Sequence, residues 1–393
     1  MISVDEALAH LFALLPDPII EDVPLRQAAG RVLARAVAST RTQPPFAASS
    51  MDGYAVHKVE VEPDAMFKVI GEAAAGHGFA GKVGAGQAVR IFTGAPLPEG
   101  ADWVVIQEDV TRTGNLITLR RNLDPKSNIR PEGADFTKGQ LLDAPRRLSP
   151  ADVALLAAMN IPVVPVARQP RVAILATGDE LVLPGETPGP DQIIASNSFG
   201  LAAQIEALGG LPRLLPVARD TEASLRAGFA LARDADLIIT IGGASVGDHD
   251  LIAPVAADMG MAQSFYKVAM RPGKPLMAGR LNDIPMIGLP GNPVSALVCG
   301  TVFVAPVLRA MQGLARMAAP RHIAPLTAAL GPNGPREHYM RAHLGPEGLR
   351  AFDRQDSSLL TVLADANALL VRPAHDDARP VGTPTEYIPL QRS

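Results

Sequence analysis

The stretch Asp236-Leu-Ile-Ile-Thr-Ile-Gly-Gly-Ala-Ser-Val-Gly-Asp-His-Asp250 decides the fold class of this chain. Asp236 to Ile241 is a short, continuously apolar, β-branched run, the pattern of a strand buried on both faces. Gly242 and Gly243 follow at its carboxyl end, where a chain can turn sharply and expose its backbone N–H groups. Ser245 to Asp250 then supply hydroxyl and carboxylate groups before a second apolar segment, Leu251 to Ala257, that reads as helix. In an open parallel sheet, ligands bind beyond the carboxyl ends of the strands, against helix N-termini. On its own, a Gly-Gly turn fits a tight connection equally well.

The neighbouring segments repeat the pattern. Lys267-Val-Ala-Met-Arg-Pro-Gly-Lys-Pro275 places three cations and a Gly turn after another strand. Met286 to Leu289 is a strand that runs into Asn292, a helix N-cap, with Pro293 at the first helical position where its missing N–H costs nothing. Val172 to Ala176 is a further buried run, ending in Thr177-Gly-Asp-Glu180. Helices are expected from Ser196 or Asn197, with Leu201, Ile205 and Leu208 on the apolar face, and from Thr221 to Leu231, capped by Asp220. A strand is expected over Leu214 to Val217. This alternation predicts a doubly wound α/β domain with a mostly parallel sheet. Strand ends carrying Gly turns, carboxylates, hydroxyls and Lys/Arg suit a Mg²⁺-assisted site for a phosphorylated ligand: oxygen ligands for the metal, N–H groups and cations for the oxyanions.

The rest of the chain differs in character. Ser3 and Glu6 form a capping box, and Val4, Leu8, Leu11 and Leu15 line one helical face up to Pro16. Residues 41–140 are rich in Gly and Pro, with β-prone runs at Met66–Ile70, Ala88–Phe92, Trp103–Ile106 and Leu116–Leu119, which predicts an inserted β domain. Ser149 and Pro150 open a helix that Asn160 ends. Residues 1–40 and 141–169 are therefore expected to form one discontinuous, elongated domain. The α/β domain is expected over 170–318, and a compact C-terminal β domain over 319–393. In this last part, strands are expected near His322–Ala329, Glu337–Leu344, Leu349–Phe352, Ala368–Arg372 and Glu386–Leu390.

Composition narrows the function classes. A net charge of −4 gives no bulk attraction to nucleic acid or to an anionic membrane. The single cysteine, Cys299, excludes an intrachain disulfide, and the eight histidines show no Cys/His zinc spacing. No secretory leader or long apolar run is evident, so a cytoplasmic protein is expected.

The segments Thr177–Glu180, Gly242–Asp248, Arg271–Pro275 and Gly288–Ser295 resemble the molybdopterin molybdenumtransferases, the MoeA family. Pro44-Pro-Phe-Ala-Ala-Ser-Ser-Met-Asp-Gly-Tyr-Ala-Val56 and Ile91-Phe-Thr-Gly-Ala-Pro-Leu-Pro98 extend the likeness, in the family's order, over nearly the whole chain. It is weakest after about residue 320. The resemblance implies a central α/β domain of the MogA type and insertion of molybdenum from molybdate into adenylylated molybdopterin with release of AMP. It assigns Asp52, Thr93, Asp135, Glu180, Asp220 and Asp250 to the reaction, with Glu180, Asp220 and Asp250 on the Mg²⁺ side. Gly242, Gly243, Ser245, Lys267, Arg271, Lys274, Pro290, Asn292, Pro293, Ser295, Arg341 and Ser357 fall to substrate binding, the last three positions (Ser295, Arg341, Ser357) toward molybdate. It further implies an elongated homodimer with sites between subunits and contact with the adenylyltransferase of the same pathway. Two alternatives remain at this point: a molybdopterin adenylyltransferase, and a non-enzymatic scaffold on the same fold. For Arg271 and Lys274, simple pairing with Glu180, Asp248 or Asp250 is also open.

Overall fold

The structure is a computed structural model and describes residues 1–243 and 251–390. The helix Val4–Ala13 starts on the expected box, Ser3 and Glu6 each accepting the other's backbone N–H. It buries Val4, Ala7, Leu8 and Leu11 in the same cluster as the α/β sheet and its helices. A four-stranded sheet then combines distant parts of the chain, in the order Ile20–Pro24, Val163–Ala167, Val32–Leu33, Arg146–Arg147. Its core gathers Leu33, Phe136, Leu148, Leu156 and Val164, so the chain leaves this unit after Leu33 and returns to it.

Between these passes lies a six-stranded sheet, ordered Trp103–Ile106, Gly53–Val56, Gln87–Ile91, Met66–Ala73, Leu116–Leu119, Val110–Thr113. Apolar residues cover both faces: Tyr54, Val56 and Phe67 on one, Ala55, Val89 and Ile91 on the other. That alternation is the two-residue period of a strand. Gly53 is required here, since a Cβ would lie 2.1 Å from the Val105 carbonyl oxygen.

The α/β sheet runs Leu211–Leu214, Arg171–Ala176, Leu237–Ile241, Ile284–Leu289, Met277–Leu281, Ala262–Tyr266. Its first four strands are parallel and the last two join antiparallel. Helices Asn197–Ala207, Pro293–Cys299 and Ala305–Met311 pack on one face, Glu222–Leu231 and Ile252–Asp258 on the other. Every residue of Leu237–Ile241 is buried, as a strand covered on both faces requires. Two local expectations fail. The strand expected over Leu214 to Val217 is Leu211–Leu214, starting directly after the Gly209-Gly210 turn. The N-cap of Glu222–Leu231 is Thr221, whose hydroxyl accepts from the Ser224 N–H, and not Asp220.

One helical span, Pro293–Met311, is long and apolar enough to cross a membrane by length and composition, with a mean hydropathy of 1.8. In the sequence, Ser295, Thr301 and Arg309 interrupt it, so it does not read as one long apolar run. Its burial inside the fold, 78% over its most apolar window, accounts for its apolar character as that of a core helix.

The C-terminal sheet is ordered Met270–Arg271, Glu337–Gly345, Ala368–Arg372, Pro384–Pro389, His322–Pro325, with Gly348–Ala351 paired to Glu337–Gly345. Its first strand belongs to the cationic loop of the α/β region. Met270 and Arg271 pair in parallel register with Glu337 and His338, and Glu337 N–H donates to Ala269 O at 3.0 Å. The two parts of the chain are thus stitched by backbone hydrogen bonds at the loop that carries Arg271.

Candidate functional site

A cleft of about 730 Å³ opens at the carboxyl ends of the parallel strands. Thr177, Gly178 and Glu180 follow Arg171–Ala176, Gly242 and Gly243 follow Leu237–Ile241, and Pro290 to Pro293 follow Ile284–Leu289; all line it. Gly242 has φ +96, and a Cβ there would come within 2.7 Å of Thr177 O. That close approach explains why glycine stands at this turn. Asp220 lines the cleft from a fourth strand connection. Its backbone N–H donates to Asp179 Oδ1 at 3.3 Å, and Arg219 Nη1 donates to Asp179 O at 2.9 Å. Asp179 therefore ties the Glu180 loop to the Asp220 loop, a role the sequence offered no spacing signal for. Glu180 and Asp220 are both exposed.

Asn292 and Pro293 begin the helix Pro293–Cys299 at the cleft. Asn292 does not cap it with its side chain. Its Nδ2 donates instead to Ser357 Oγ at 3.1 Å, while the Val294 N–H donates to Ser357 O at 3.1 Å. Ser357 is engaged in this contact, and its neighbour Ser358 lines the cleft. Ser295 is buried in the first turn of the same helix. Asn197, expected only as a helix cap, lines the cleft and donates from Nδ2 to Gly291 O at 2.6 Å.

Arg341 stands behind this loop. Its side chain is fully buried, and Nη2 donates to Asp356 O at 2.9 Å. Nε and Nη1 have no partner among the described residues. Burial, and Arg271 nearby, pull this guanidinium below its ordinary range, with Asp356 opposing. A buried guanidinium with two unused donor atoms is costly, and an oxyanion is its natural complement. Arg271 and Lys274 are exposed, and neither pairs with Glu180 among the described residues. Lys267 is held in a left-handed turn with Nζ 5.1 Å from the Tyr266 ring centroid.

Asp52 and Thr93 meet elsewhere, on the six-stranded sheet. Asp52 Oδ1 accepts from both the Thr93 N–H and its hydroxyl, each at 2.8 Å. These two donors, with Arg90 adding to them, hold the Asp52 carboxyl below the usual aspartate range. Among the described residues, none between 41 and 140 lines the cleft. Asp135 is exposed, and no hydrogen bond joins it to Asp52 or Thr93. Ser245 and Asp250 lie outside the described residues, as do Asp248 and His249. No group of three or more His, Cys, Asp or Glu side chains is gathered for a metal among the described residues.

Comparisons with known proteins agree along the chain. Residues 2–160 match the MoeA N-terminal region (domain I and II), 173–310 the probable molybdopterin binding domain, and 324–390 the MoeA C-terminal region (domain IV). A molybdopterin molybdenumtransferase from Nostoc is 37% identical, covering 95% of this chain and 90% of its own. One from Haemophilus influenzae is 38% identical over 82% and 80%. The crystal structure of a molybdopterin biosynthesis moeA protein from Pyrococcus horikoshii superposes with a TM-score of 0.85 at 28% identity, covering 98% of this chain and 99% of that one. The chain therefore belongs to the MoeA family of molybdopterin molybdenumtransferases.

Proposed function

We propose that this transferase of molybdenum cofactor biosynthesis takes molybdenum from molybdate into adenylylated molybdopterin and releases AMP. The observation that carries this is Arg341: a fully buried cation with two nitrogens unpartnered among the described residues, one loop from a cleft built at strand ends. Molybdate is a compact oxyanion that such donors can accept, with Ser357, Ser295, Arg271 and Lys274 supplying hydroxyls and further charge. The pterin phosphate would lie over Gly242, Gly243 and the start of the Pro293–Cys299 helix, with Lys267 on its flank. Pro290, Asn292 and Pro293 shape that wall.

The carboxylates fit Mg²⁺. Glu180 and Asp220 both present oxygen ligands at one cleft, and Mg²⁺ is ordinarily held by one or two carboxylates together with substrate phosphates. Asp250 is the third residue expected on this side. Bound there, the ion would neutralise charge on the phosphoanhydride. Asp179, by fixing the Asp220 backbone, keeps the two loops in register.

Asp52 and Thr93 do not line the cleft of their own chain among the described residues, which supports a second copy supplying them. Purified protein with adenylylated molybdopterin, molybdate and Mg²⁺ should release AMP and yield active cofactor. Asp220→Ala should fold normally and lose both. Transfer of AMP from ATP to molybdopterin instead would identify an adenylyltransferase and overturn the proposal. Mixing inactive Asp52→Ala with inactive Lys274→Ala should restore about a quarter to a half of wild-type activity if the site is shared between copies.

A further inference from the structure

Arg90 lies in the Gln87–Ile91 strand, opposite Tyr54 on one side and Glu72 on the other. Its guanidinium carbon sits 5.1 Å from the Tyr54 ring centroid and 4.6 Å from that of Phe92. Nη1 donates to Gly53 O at 3.2 Å and Nη2 to Gln107 Oε1 at 2.7 Å. Gln107 in turn donates its backbone N–H to Asp52 O at 3.0 Å and its amide to Glu108 Oε1 at 3.2 Å. Glu72, the carboxylate directly across the strand, forms no ion pair with Arg90 among the described residues.

The groups that Arg90 holds are the ones that flank the Asp52–Thr93 pair. Gly53 follows Asp52, and Phe92 precedes Thr93. One planar cation, stacked on two rings and hydrogen-bonded at both ends of its fork, thus fixes both chain segments that bear the pair. We propose that Arg90 is a positioning residue for Asp52 and Thr93, fixing the direction in which the Asp52 carboxylate faces the ligand. This rests on the function proposed above. The charge on Arg90 also supports the Thr93 donors in keeping Asp52 ionised, but a lysine could supply that much. The stack and the fork are what only arginine supplies.

The test uses full-length Arg90→Met, Arg90→Lys and Gln107→Leu, with NMR titration of the Asp52 carboxyl and steady-state AMP release. Arg90→Met should raise the Asp52 titration toward the ordinary aspartate range. It should lower kcat on the order of 10- to 100-fold, the cost of a slightly misplaced group, with KM little changed. Arg90→Lys should restore the titration and only part of kcat. Gln107→Leu, which leaves the ring stack in place, should give a smaller loss of kcat, and it carries the test should Arg90→Met not fold. Unchanged titration and kcat in Arg90→Met, unchanged kcat in Gln107→Leu, or full recovery of kcat in Arg90→Lys would each overturn the proposal. A wild type that releases no AMP defeats the proposed function; the positioning role is then read from the Thr93 amide resonance, which should shift in both Arg90→Met and Arg90→Lys, and a wild-type resonance in both would overturn it.

Discussion

Arg341 and Arg372 are both buried in the C-terminal sheet, 0% and 2% exposed, and they are opposite in kind. Arg372 pairs across the strands with His338, three residues from Arg341, so the two guanidiniums leave opposite faces. Arg372 is paired: Nε bonds the Asp376 carboxylate, and Nη2 donates to Gly331 O, Asp376 O and Asp377 O. Arg379 reinforces Asp376 from the other side. Arg341 has one carbonyl acceptor and, among the described residues, two idle nitrogens. A buried charge paired with a carboxylate is part of the architecture. A buried charge with donors left over lowers stability unless something else binds there.

The contrast is sharpest in stability. Arg372→Met should destabilise the protein by about 3 kcal/mol, because it removes a buried cation and its charge-assisted bond to Asp376, leaving that carboxylate to Arg379 alone. Thermal or denaturant unfolding checks this, and a loss under 1 kcal/mol, on the order of an exposed ion pair, would erase the distinction.

His338, directly across the strands from Arg372, is buried with Nε2 unpartnered among the described residues. Burial first, then Arg271, Arg341, Arg372 and Arg336, push its pKa down from 6.5 to about 4. The folded protein therefore keeps His338 neutral at pH values where the unfolded chain binds a proton. Stability is fully present above pH 6.5 and falls as the pH drops toward 4. Over that window the loss attributable to His338 should approach roughly 3 kcal/mol. His338→Leu should flatten the pH dependence of the melting temperature there, and parallel curves for the two proteins would rule His338 out as its source.

Smaller still is the effect expected at Lys274, which is exposed and carries no described ion pair with Glu180. Lys274→Gln should weaken molybdate or pterin-phosphate binding by roughly 1.5–3 kcal/mol while leaving the melting temperature nearly unchanged. Wild-type binding should also weaken as salt rises. An earlier melt with normal anion binding would make Lys274 a structural residue like Arg372.

Much of this molecule is readable in its sequence, for identifiable reasons. Buried strands such as Leu237–Ile241 announce themselves by unbroken β-branched runs, and Ser3 with Glu6 or Ser149 with Pro150 mark helix starts through local hydrogen bonding. Both signals act within a few residues. The misplacement of the Leu211–Leu214 strand shows their limit: Leu214 to Val217 is as apolar, but the turn at Gly209 sets where pairing with Arg171–Ala176 begins. Asp220 looked like a cap because Asp and Thr are adjacent good caps, and only the backbone decides that Thr221 takes the role. The parallel pairing of Met270–Arg271 with Glu337–Gly345 joins segments more than sixty residues apart and leaves no local trace. The difference between Arg341 and Arg372 is only half legible: Arg372 finds its carboxylate four residues on, at Asp376, whereas the one acceptor of the Arg341 guanidinium, Asp356 O, is fifteen residues away. Family likeness singled out Arg341, but its two idle nitrogens are a fact of packing.

The most direct test is Arg341→Met, with molybdate binding measured by calorimetry and the melting temperature by scanning calorimetry on the same preparation. Removing an unpaired buried charge for a group of similar volume should leave the melting temperature unchanged or higher. Molybdate affinity should fall by about 1.5–3 kcal/mol, roughly 10- to 100-fold. A protein that melts several degrees earlier and binds molybdate as the wild type does would contradict the account, and Arg341 would then belong with Arg372.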